Sequence, residues 1–402
     1  MTLLARAALR CVHLSEIVGN EILHNSTNCY EHCFLHWPNL RQLQRSSISP
    51  FGGEKAQAKI TRTTSFAGNS TYCRTIMSPN EANGSEQLPH GYEYDLITIG
   101  AGSGGVRCSR MSAANYGAKV AIVELPLGFV SSERVGGAGG TCVLRGCVPK
   151  KLMIYGGEFS HQAVEGAGFG WKVPEGIAHD WSTLQEKKNT ELRRLNGIYM
   201  KLLSNAGVDY MEGRGTLVDA HTVDIDGKSV TANKILVAVG GTPFKPDIPG
   251  KELAITSDEA LVLEECPKKI VIVGGGYIAL EFAGIFHSFG AEVHVMFRQP
   301  LPLRGFDEEV RQFVMDQMAL QGIHFHTECS PVSLEKLESG SIKLTTSTGV
   351  LEADTVMMAT GRKPNTKSIG LDKVGVEVDK NGAVKVCSCS DATITIMGDG
   401  FE

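Results

Sequence analysis

The feature that most constrains the fold is a strand, a glycine turn, a helix and a second strand, which follow one another twice in the chain. In the first copy the apolar run YDLITIG leads into a turn with Gly100, Gly102 and Gly105. The first glycine permits a tight turn, the second lets the backbone approach a pyrophosphate, and the third lets the helix pack closely on the strand. Glu124 ends the next strand, where its carboxylate can bind ribose hydroxyls. This copy predicts a dinucleotide site; a purely structural glycine cluster is the alternative.

The second copy has the same layout, with strands KKIVIVG and AEVHVMFR on either side of the helix YIALEFAGIFHSFG. Its turn carries Gly274, Gly276 and Ala279 at the positions of the three glycines of the first copy. This repetition predicts a second dinucleotide site in the same chain.

The acid that ends the first copy is missing from the second. Phe297 stands in place of Glu124, Arg298 follows directly, and Arg304 lies a little further along the chain. A guanidinium pairs with a 2′-phosphate, which a carboxylate would repel. The second copy is therefore predicted to select NADPH over NADH; two solvated surface arginines are the alternative.

From Tyr92 onward apolar strands alternate with helical segments, which predicts an α/β fold with parallel sheets. We predict two Rossmann-like dinucleotide-binding domains, one for FAD and one for NADPH. The second is expected to be inserted in the first, because strands at 234–241 and 354–361 bracket it. Asp399, after the strand ITIM, is predicted to hydrogen-bond the ribityl chain of a flavin. The predicted segments are a targeting leader and disordered linker at 1–91, an FAD-binding domain with a redox disulfide at 92–241, an NADPH-binding domain at 242–361 and a return to the FAD-binding domain at 362–402.

Cys142 and Cys147 lie in the segment GGAGGTCVLRGCVPKK. Residues i and i+5 of a regular helix have Cα atoms about 8 to 9 Å apart, beyond the ~7 Å limit for a disulfide. A bridge therefore requires a distorted helix start, which Gly146 would allow, and Lys150 would stabilise a thiolate there. We interpret the pair as a reversible redox couple; a zinc knuckle and two inert thiols are the alternatives. Cys387 and Cys389 form a second, weaker redox candidate.

The composition limits the partners. Lys+Arg 39 against Asp+Glu 44 leave a net charge of −5, which argues against nucleic-acid binding. No apolar run reaches the ~18 residues of a membrane span, so no membrane is predicted. Residues 1 to about 75 contain no Asp and many hydroxyl side chains, as is typical of an organellar leader. We predict a plastid location, with mitochondrion or cytosol as alternatives. A zinc site is a further interpretation of one group in this leader, namely His24, Cys29, His32, Cys33 and His36.

Several segments together resemble the glutathione reductases, a family of flavin disulfide reductases within the class I pyridine nucleotide-disulfide oxidoreductases. The segments are GAGSGG, GGTCVLRGCVPKKLM, GGGYIALEFAG, FRQPLPLRGFD, ATGRKPNT and MGDG. CVLRGCVPKK and the connection LPLGFVSSERVGGAG are most similar to the plant type. Lipoamide dehydrogenase is a poorer match, because it usually carries an acid at its NAD site.

The resemblance implies catalytic roles. Cys142 would attack glutathione disulfide, and Cys147 would lie against the flavin. Lys150 would lie near the flavin N5 and pair with Glu281, and Tyr277 would move aside when NADPH binds.

The resemblance also implies ligand contacts. Glutathione would be contacted by Ser103, Arg110 and Tyr199. FAD would be contacted by Ser103, Gly104, Glu124, Thr141 and Asp399. NADPH would be contacted by Gly275, Ile278 and Gly361.

In the family, a C-terminal interface domain supplies a His and a Glu from the partner subunit of a homodimer as acid and base. Only three residues follow Asp399, so we expect an incomplete product or a shortened isoform, for which the homodimer is in question. The main functional prediction is NADPH-dependent reduction of glutathione disulfide through FAD and the Cys142/Cys147 pair, in redox homeostasis and oxidative-stress defence. The alternative is a truncated FAD- and NADPH-binding form without turnover.

Overall fold

The structure, a computed structural model, describes residues 90–174 and 177–386 and the backbone of residues 394–396. Four of the sequence-based predictions concern residues outside these ranges: the leader, its Cys/His group, the pair Cys387 and Cys389, and Asp399.

Four parallel strands form the main part of the first sheet. In spatial order they are β3 (Val208–Glu212), β2 (Val120–Glu124), β1 (Tyr94–Ile99) and β6 (Lys228–Val237). The first half of β6 continues into two antiparallel strands, β5 (Thr222–Ile225) and β4 (Gly215–Leu217). Its last residues pair in parallel with β16 (Ile394–Ile396).

In the first sheet, β2 and the last three residues of β1 and β6 are buried on both faces, which explains their mostly apolar sequences. Ile97 and Val123 belong to a core that also contains Ile235 of β6. On the opposite face, Val120 and Ile122 pack in a second core. That core is closed by two helices, α1 (Ser103–Tyr116) and α3 (Trp181–Asn205). In the chain, α2 (Cys147–Gly168) lies between these two helices.

The second sheet has four parallel strands. Their spatial order is β10 (His324–His326), β9 (Glu292–Met296), β8 (Lys269–Val273) and β14 (Thr355–Met358). Helix α5 (Tyr277–Ser288) connects β8 to β9, and α6 (Glu308–Leu320) connects β9 to β10. A three-stranded antiparallel sheet packs through Leu334 and Leu344 against Val271 and Met296. It consists of β11 (Pro331–Lys336), β12 (Ile342–Thr346) and β13 (Gly349–Ala353).

The predicted α/β class is confirmed, because both large sheets are built on parallel strands with connecting helices. All strands of the second sheet lie between β6 and β16 in the chain. A two-stranded antiparallel ribbon, β7 (Gly241–Pro243) with β15 (Arg362–Pro364), pairs the segments that enter and leave this region. A short helix, α4 (Ser257–Ala260), precedes the second sheet in the chain. Among the described helices, none is long and apolar enough to cross a bilayer.

Candidate active site

The first glycine turn leaves open space at the start of α1. A Cβ at Gly100, whose φ is +106°, would lie 2.2 Å from the carbonyl oxygen of Ala238, and one at Gly105 would lie 1.9 Å from the oxygen of Gly100. At Gly102 the nearest atom to an added Cβ is the Cα of Gly140, at 3.9 Å. Gly100 and Gly105 are therefore needed for packing, whereas Gly102 borders space beside unpaired helix N–H groups, where a pyrophosphate would fit.

Glu124 is fixed at this turn by backbone hydrogen bonds. Its Oε2 accepts from the N–H of Ala101 at 2.5 Å, and its Oε1 accepts from the N–H of Leu125 at 2.8 Å. Burial raises the pKa of this carboxyl, while the two N–H groups and the charge of Arg145 act to lower it. Each carboxylate oxygen has a further lone pair, so acceptors remain for ribose hydroxyls.

The second glycine turn repeats this geometry. A Cβ at Gly274, whose φ is +145°, would lie 2.2 Å from the carbonyl oxygen of Ala359. A Cβ at Gly276, which caps α5, would meet no described atom within 4 Å. Ala279 is fully buried in the first turns of α5, where a small residue lets the helix approach its sheet. The second turn therefore also has the tight crossing and the open helix start of a dinucleotide site.

The predicted phosphate-binding arginines lie close to the second turn. The buried Phe297 packs against Gly275, where an added Cβ would lie 2.9 Å from the ring carbon Cγ. The N–H of Leu303 donates to the oxygen of Gly275 at 2.6 Å and ties the following loop to the turn. Arg298 and Arg304 are both exposed, and neither guanidinium has a hydrogen bond or ion pair to another residue in the described ranges. Both remain available for an anion.

The segment between the two cysteines is not regular α-helix. Thr141–Arg145 forms one turn of π-helix, and Gly146 breaks it with φ −152° and ψ −108° before α2 begins at Cys147. The predicted distortion of the helix start is thus confirmed. Cys142 is half-buried and Cys147 is exposed. Because Cys147 is the first residue of a 22-residue helix, the partial positive charge of the helix N-terminus stabilises its thiolate.

An ion pair connects the cysteine helix to the second turn. The Nζ of Lys150 lies 2.7 Å from the Oε1 of Glu281, and the two side chains are only 15% and 20% exposed. Tyr277 opens α5 one turn earlier. Burial raises the pKa of Tyr277; the charges of Glu281 and Cys147 add to this rise, while those of Lys150 and Arg362 oppose it. The structure therefore brings the four predicted residues Cys147, Lys150, Tyr277 and Glu281 into one neighbourhood.

The predicted substrate contacts Ser103, Arg110 and Tyr199, together with the predicted flavin contact Gly104, lie on α1 and α3, which contact each other. Ser103 is exposed, and Gly104 and Arg110 are half-buried on α1. Tyr199, on α3, packs both against the core beneath α1 and against the apolar residues that follow Cys142. Their contacts to ligands stay predictions.

Three more predicted contact residues lie at the start of the π-helical turn, in the first turn of α5 and shortly after β14. Thr141 opens the π-helical turn. Ile278 lies in the first turn of α5, half-buried. Gly361 has a φ of +119°, and its carbonyl accepts from the N–H of Phe244 at 2.9 Å.

Sequence reasoning missed Arg145, which lies between the two cysteines. Its side chain is 5% exposed, and its Nη1 donates to the carbonyl oxygens of Gly128 at 2.6 Å and Gly136 at 3.2 Å. Burial lowers its pKa, while the charges of Asp258 and Glu124 raise it. This arginine fixes the long loop after β2 against the redox segment. A charged residue inside the apolar run CVLRGC was the available signal.

Asp258, in α4, was also missed. It is 2% exposed, and its Oδ2 accepts from the N–H of Ser132 at 3.3 Å. Burial raises its pKa, against the charges of Arg362 and Arg145. The sequence SDEA offered no signal for it, because a charged residue in a short helix is usually solvated.

Comparisons with known proteins agree with this geometry. A profile of the family described as pyridine nucleotide-disulphide oxidoreductase matches residues 94–395. The chain is 56% identical over 325 residues to glutathione reductase, chloroplastic/mitochondrial, of Pisum sativum, covering 81% of this chain and 58% of that protein. It is 44% identical over 296 residues to glutathione reductase of Burkholderia cepacia, covering 73% of this chain and 63% of that protein. The chain thus spans about three fifths of the length of these relatives.

A solved structure shares the fold. The HOCl-induced flavoprotein disulfide reductase RclA from Escherichia coli superimposes with a TM-score of 0.66 at 24% identity. The match covers 76% of this chain and 66% of that one.

Proposed function

Because this chain belongs to the pyridine nucleotide-disulphide oxidoreductase family, we propose that it reduces glutathione disulfide to glutathione with NADPH as the reductant. The observation that carries the proposal is the ion pair of Lys150 and Glu281, since it holds the helix that begins at Cys147 against the helix of the second glycine turn. A dithiol placed between two nucleotide turns is the arrangement that a disulfide reductase needs.

The first turn fits FAD. Gly102 leaves space that a side chain would fill, and the start of α1 offers N–H groups to a pyrophosphate. Glu124 would bind a ribose, and Ser103, Gly104, Thr141 and Asp399 would complete the contacts. Bound there, FAD would supply two-electron transfer between a nicotinamide and a disulfide.

The second turn fits NADPH. Gly276 leaves open space at the start of α5, and the exposed Arg298 and Arg304 would pair with a 2′-phosphate. Tyr277, at the first position of α5 and 44% exposed, would cover the nicotinamide end of the site and turn aside on binding. Gly275, Ile278 and Gly361 would line the same site.

The cysteines would perform the thiol–disulfide exchange. The thiolate of Cys142 attacks one sulfur of glutathione disulfide, forms a mixed disulfide and releases one glutathione thiolate, which takes a proton. The thiolate of Cys147 then attacks the sulfur of Cys142, releases the second glutathione and closes the Cys142–Cys147 disulfide. The helix N-terminus at Cys147 and the nearby Lys150 favour its thiolate. Ser103, Arg110 and Tyr199 would hold the peptide parts of the substrate.

We also propose the domain limits given by the sequence, with the FAD-binding domain at 92–241 and 362–402 and the NADPH-binding domain at 242–361. The position of all second-sheet strands between β6 and β16 supports this division.

We propose that the protein works in an organelle and, more specifically, in the plastid. The composition of residues 1 to about 75 and the chloroplastic/mitochondrial relative support this location.

A homodimer is proposed as well. Its support is a row of exposed apolar side chains on and after α2, which are Tyr155, Phe159, Val164, Phe169 and Trp171.

The test is a steady-state assay of NADPH oxidation by the FAD-loaded protein, with and without glutathione disulfide. We expect NADPH to be oxidised only when glutathione disulfide is present. Neither the Cys142→Ser nor the Cys147→Ser variant should oxidise it. Oxidation that does not depend on glutathione disulfide, or that survives in either variant, would contradict the proposal. Cys266→Ser is the control, because this thiol lies outside the redox segment.

A further inference from the structure

Three histidines and a glutamate share one face at the edge of the second sheet. His294 of β9 is the direct neighbour of His324 on the parallel edge strand β10. Glu292 lies two residues before His294, and His326 lies two residues after His324. Because successive side chains of a strand alternate between faces, all four point to the same side.

The four side chains are already linked by hydrogen bonds and ring contacts. The Nε2 of His294 lies 2.8 Å from the Oε1 of Glu292, and its Nδ1 lies 2.8 Å from the Nε2 of His326. The ring of His324 stacks on that of His294 with centroids 4.7 Å apart. Ligand-type atoms of Glu292, His294 and His324 all lie within 4.8 Å of one another.

We propose that Glu292, His294 and His324 form a binding site for a divalent transition-metal ion of the zinc class. Imidazole nitrogens and a carboxylate are the ligands that zinc takes in three-ligand sites, with a fourth position left for water. The site uses none of the residues assigned above to nucleotide, thiol or glutathione binding, so it does not depend on the proposed function.

His326 orients the central ligand. With the Nε2 of His294 on the metal, the proton of that imidazole resides on Nδ1, which donates to the Nε2 of His326. A metal-bound histidine usually donates its other ring N–H to a fixed acceptor, which sets both tautomer and ring orientation. His326 is therefore a positioning residue.

The burial of the site suits reversible binding. The His294 side chain is 12% exposed and is held between its neighbours, whereas Glu292 is 49% exposed and His324 is exposed. An ion can therefore enter from solvent onto a rigid imidazole. Lys269, whose Nζ lies 2.8 Å from the Oε1 of Glu292, must give up this surface ion pair when the ion binds. Such exposed pairs contribute little, so the competition is weak.

The test is titration of the full, oxidised chain with Co²⁺, followed by displacement with Zn²⁺. His324→Gln should weaken one binding event by at least about 10-fold. His161→Gln, which removes an exposed histidine of α2, is the matched control and should change nothing. In the parent protein, the binding event that His324→Gln weakens should show cobalt d–d absorption without a thiolate charge-transfer band. The absence of that band distinguishes this site from any site at cysteines. The same number and affinity of binding events in His324→Gln and the parent would overturn the proposal.

The positioning role has its own variants. His326→Phe removes the acceptor and should weaken the same binding event by about 10- to 100-fold. His326→Gln retains an acceptor oxygen and should restore most of the affinity. Circular dichroism of the metal-free proteins confirms that both fold. Equal affinities for the two variants would show that His326 does not act through His294.

Discussion

The ammonium group of Lys150 lies 2.7 Å from the Oε1 of Glu281, and this contact joins α2 to α5. One helix begins at Cys147 and the other begins at Tyr277, beside the second glycine turn. Because both side chains are mostly buried, either charge without its partner would remain poorly solvated. The ion pair is therefore one of the contacts that fix the relative position of the two chemical parts of the candidate site.

Breaking this pair should destabilise the protein. Lys150→Met and Glu281→Gln should each lower the free energy of unfolding by about 1–3 kcal/mol. The double variant should lose less than the two single losses added together, with a coupling of about 0.5–3 kcal/mol. Urea unfolding measures all three. Lys343→Gln, which breaks an exposed pair with Glu335 at 3.4 Å, is the control and should cost about 0–1 kcal/mol. Strict additivity would show that the pair is not energetically coupled.

Gly102→Ala should separate folding from flavin binding. An added methyl group meets only the Cα of Gly140, at 3.9 Å, so the free energy of unfolding of the flavin-free protein should change by less than about 1 kcal/mol. The same methyl group would occupy the proposed pyrophosphate space, so the flavin content after purification should fall sharply. Gly197→Ala, whose Cβ would meet open solvent on α3, should retain flavin. A Gly102→Ala protein with full flavin content would place the pyrophosphate elsewhere.

Replacing Arg298 and Arg304 with Ala should change nucleotide preference. A charge-assisted hydrogen bond to the 2′-phosphate contributes about 1.5–3 kcal/mol, so the affinity for NADPH should fall at least about 10-fold. NADH, which lacks this phosphate, should bind as before. Fluorescence titration of both nucleotides gives the two dissociation constants. Arg193→Ala, an exposed arginine on α3, controls for net charge. An unchanged ratio of the two constants would mean that these arginines are ordinary surface residues.

In the air-oxidised protein, Cys142 and Cys147 should be paired with each other. Alkylation in denaturant without reductant, followed by mass spectrometry, should leave both unmodified and joined in one peptide. Cys266 and Cys329 should react under the same conditions and report complete unfolding. Alkylation of both Cys142 and Cys147 would contradict the redox assignment.

Lys188 should make stability rise with pH in the alkaline range. It is 2% exposed, and burial lowers its pKa to about 8, below the ~10.4 of an unfolded chain. Below pH 8 the folded protein holds the charged ammonium group in a buried position, and the loss of its hydration lowers the free energy of unfolding. Between about 8 and 10.4 the folded state loses this proton while the unfolded state keeps it, so the free energy of unfolding gains up to about 3 kcal/mol.

Lys188→Met removes the titrating group and should lack this gain. Comparing the two proteins by urea unfolding from pH 7 to 10.5 cancels the titration of other groups. A difference between them that stays constant over this range would show that Lys188 keeps its proton, held by its hydrogen bonds to Gln185 and the carbonyl of Leu261.

The parts of the fold that could be predicted from the sequence depend on local backbone geometry. Gly100 and Gly274 adopt positive φ angles where each turn passes close to the backbone at the end of a neighbouring strand, a requirement that no other residue meets easily. The distorted helix start could also be predicted from local distances. In a regular helix the Cα atoms of Cys142 and Cys147 would be too far apart for a disulfide.

The parts that escaped prediction depend on contacts between distant segments. The buried positions of Arg145 and Asp258 arise when the loop after β2, the redox segment and α4 meet in space. Likewise, Glu124 was expected to contact a ribose, but its bonds to Ala101 and Leu125 are visible only in three dimensions. The pairing of Lys150 with Glu281 was anticipated only through the family resemblance, since no spacing rule relates residues on α2 and α5.

The long strand β6 has a consequence for biosynthesis. Its final residues have β1 on one side and β16 on the other, and every strand of the second sheet lies between β6 and β16 in the chain. As the polypeptide leaves the ribosome, β6 can pair with β1 and β5 at once, but the other edge of its final residues, Ile235–Val237, stays uncovered until the second sheet has been synthesised. An apolar strand edge that waits in this way is a template for pairing with foreign strands. The nascent chain should therefore depend on chaperones most during translation of the second sheet.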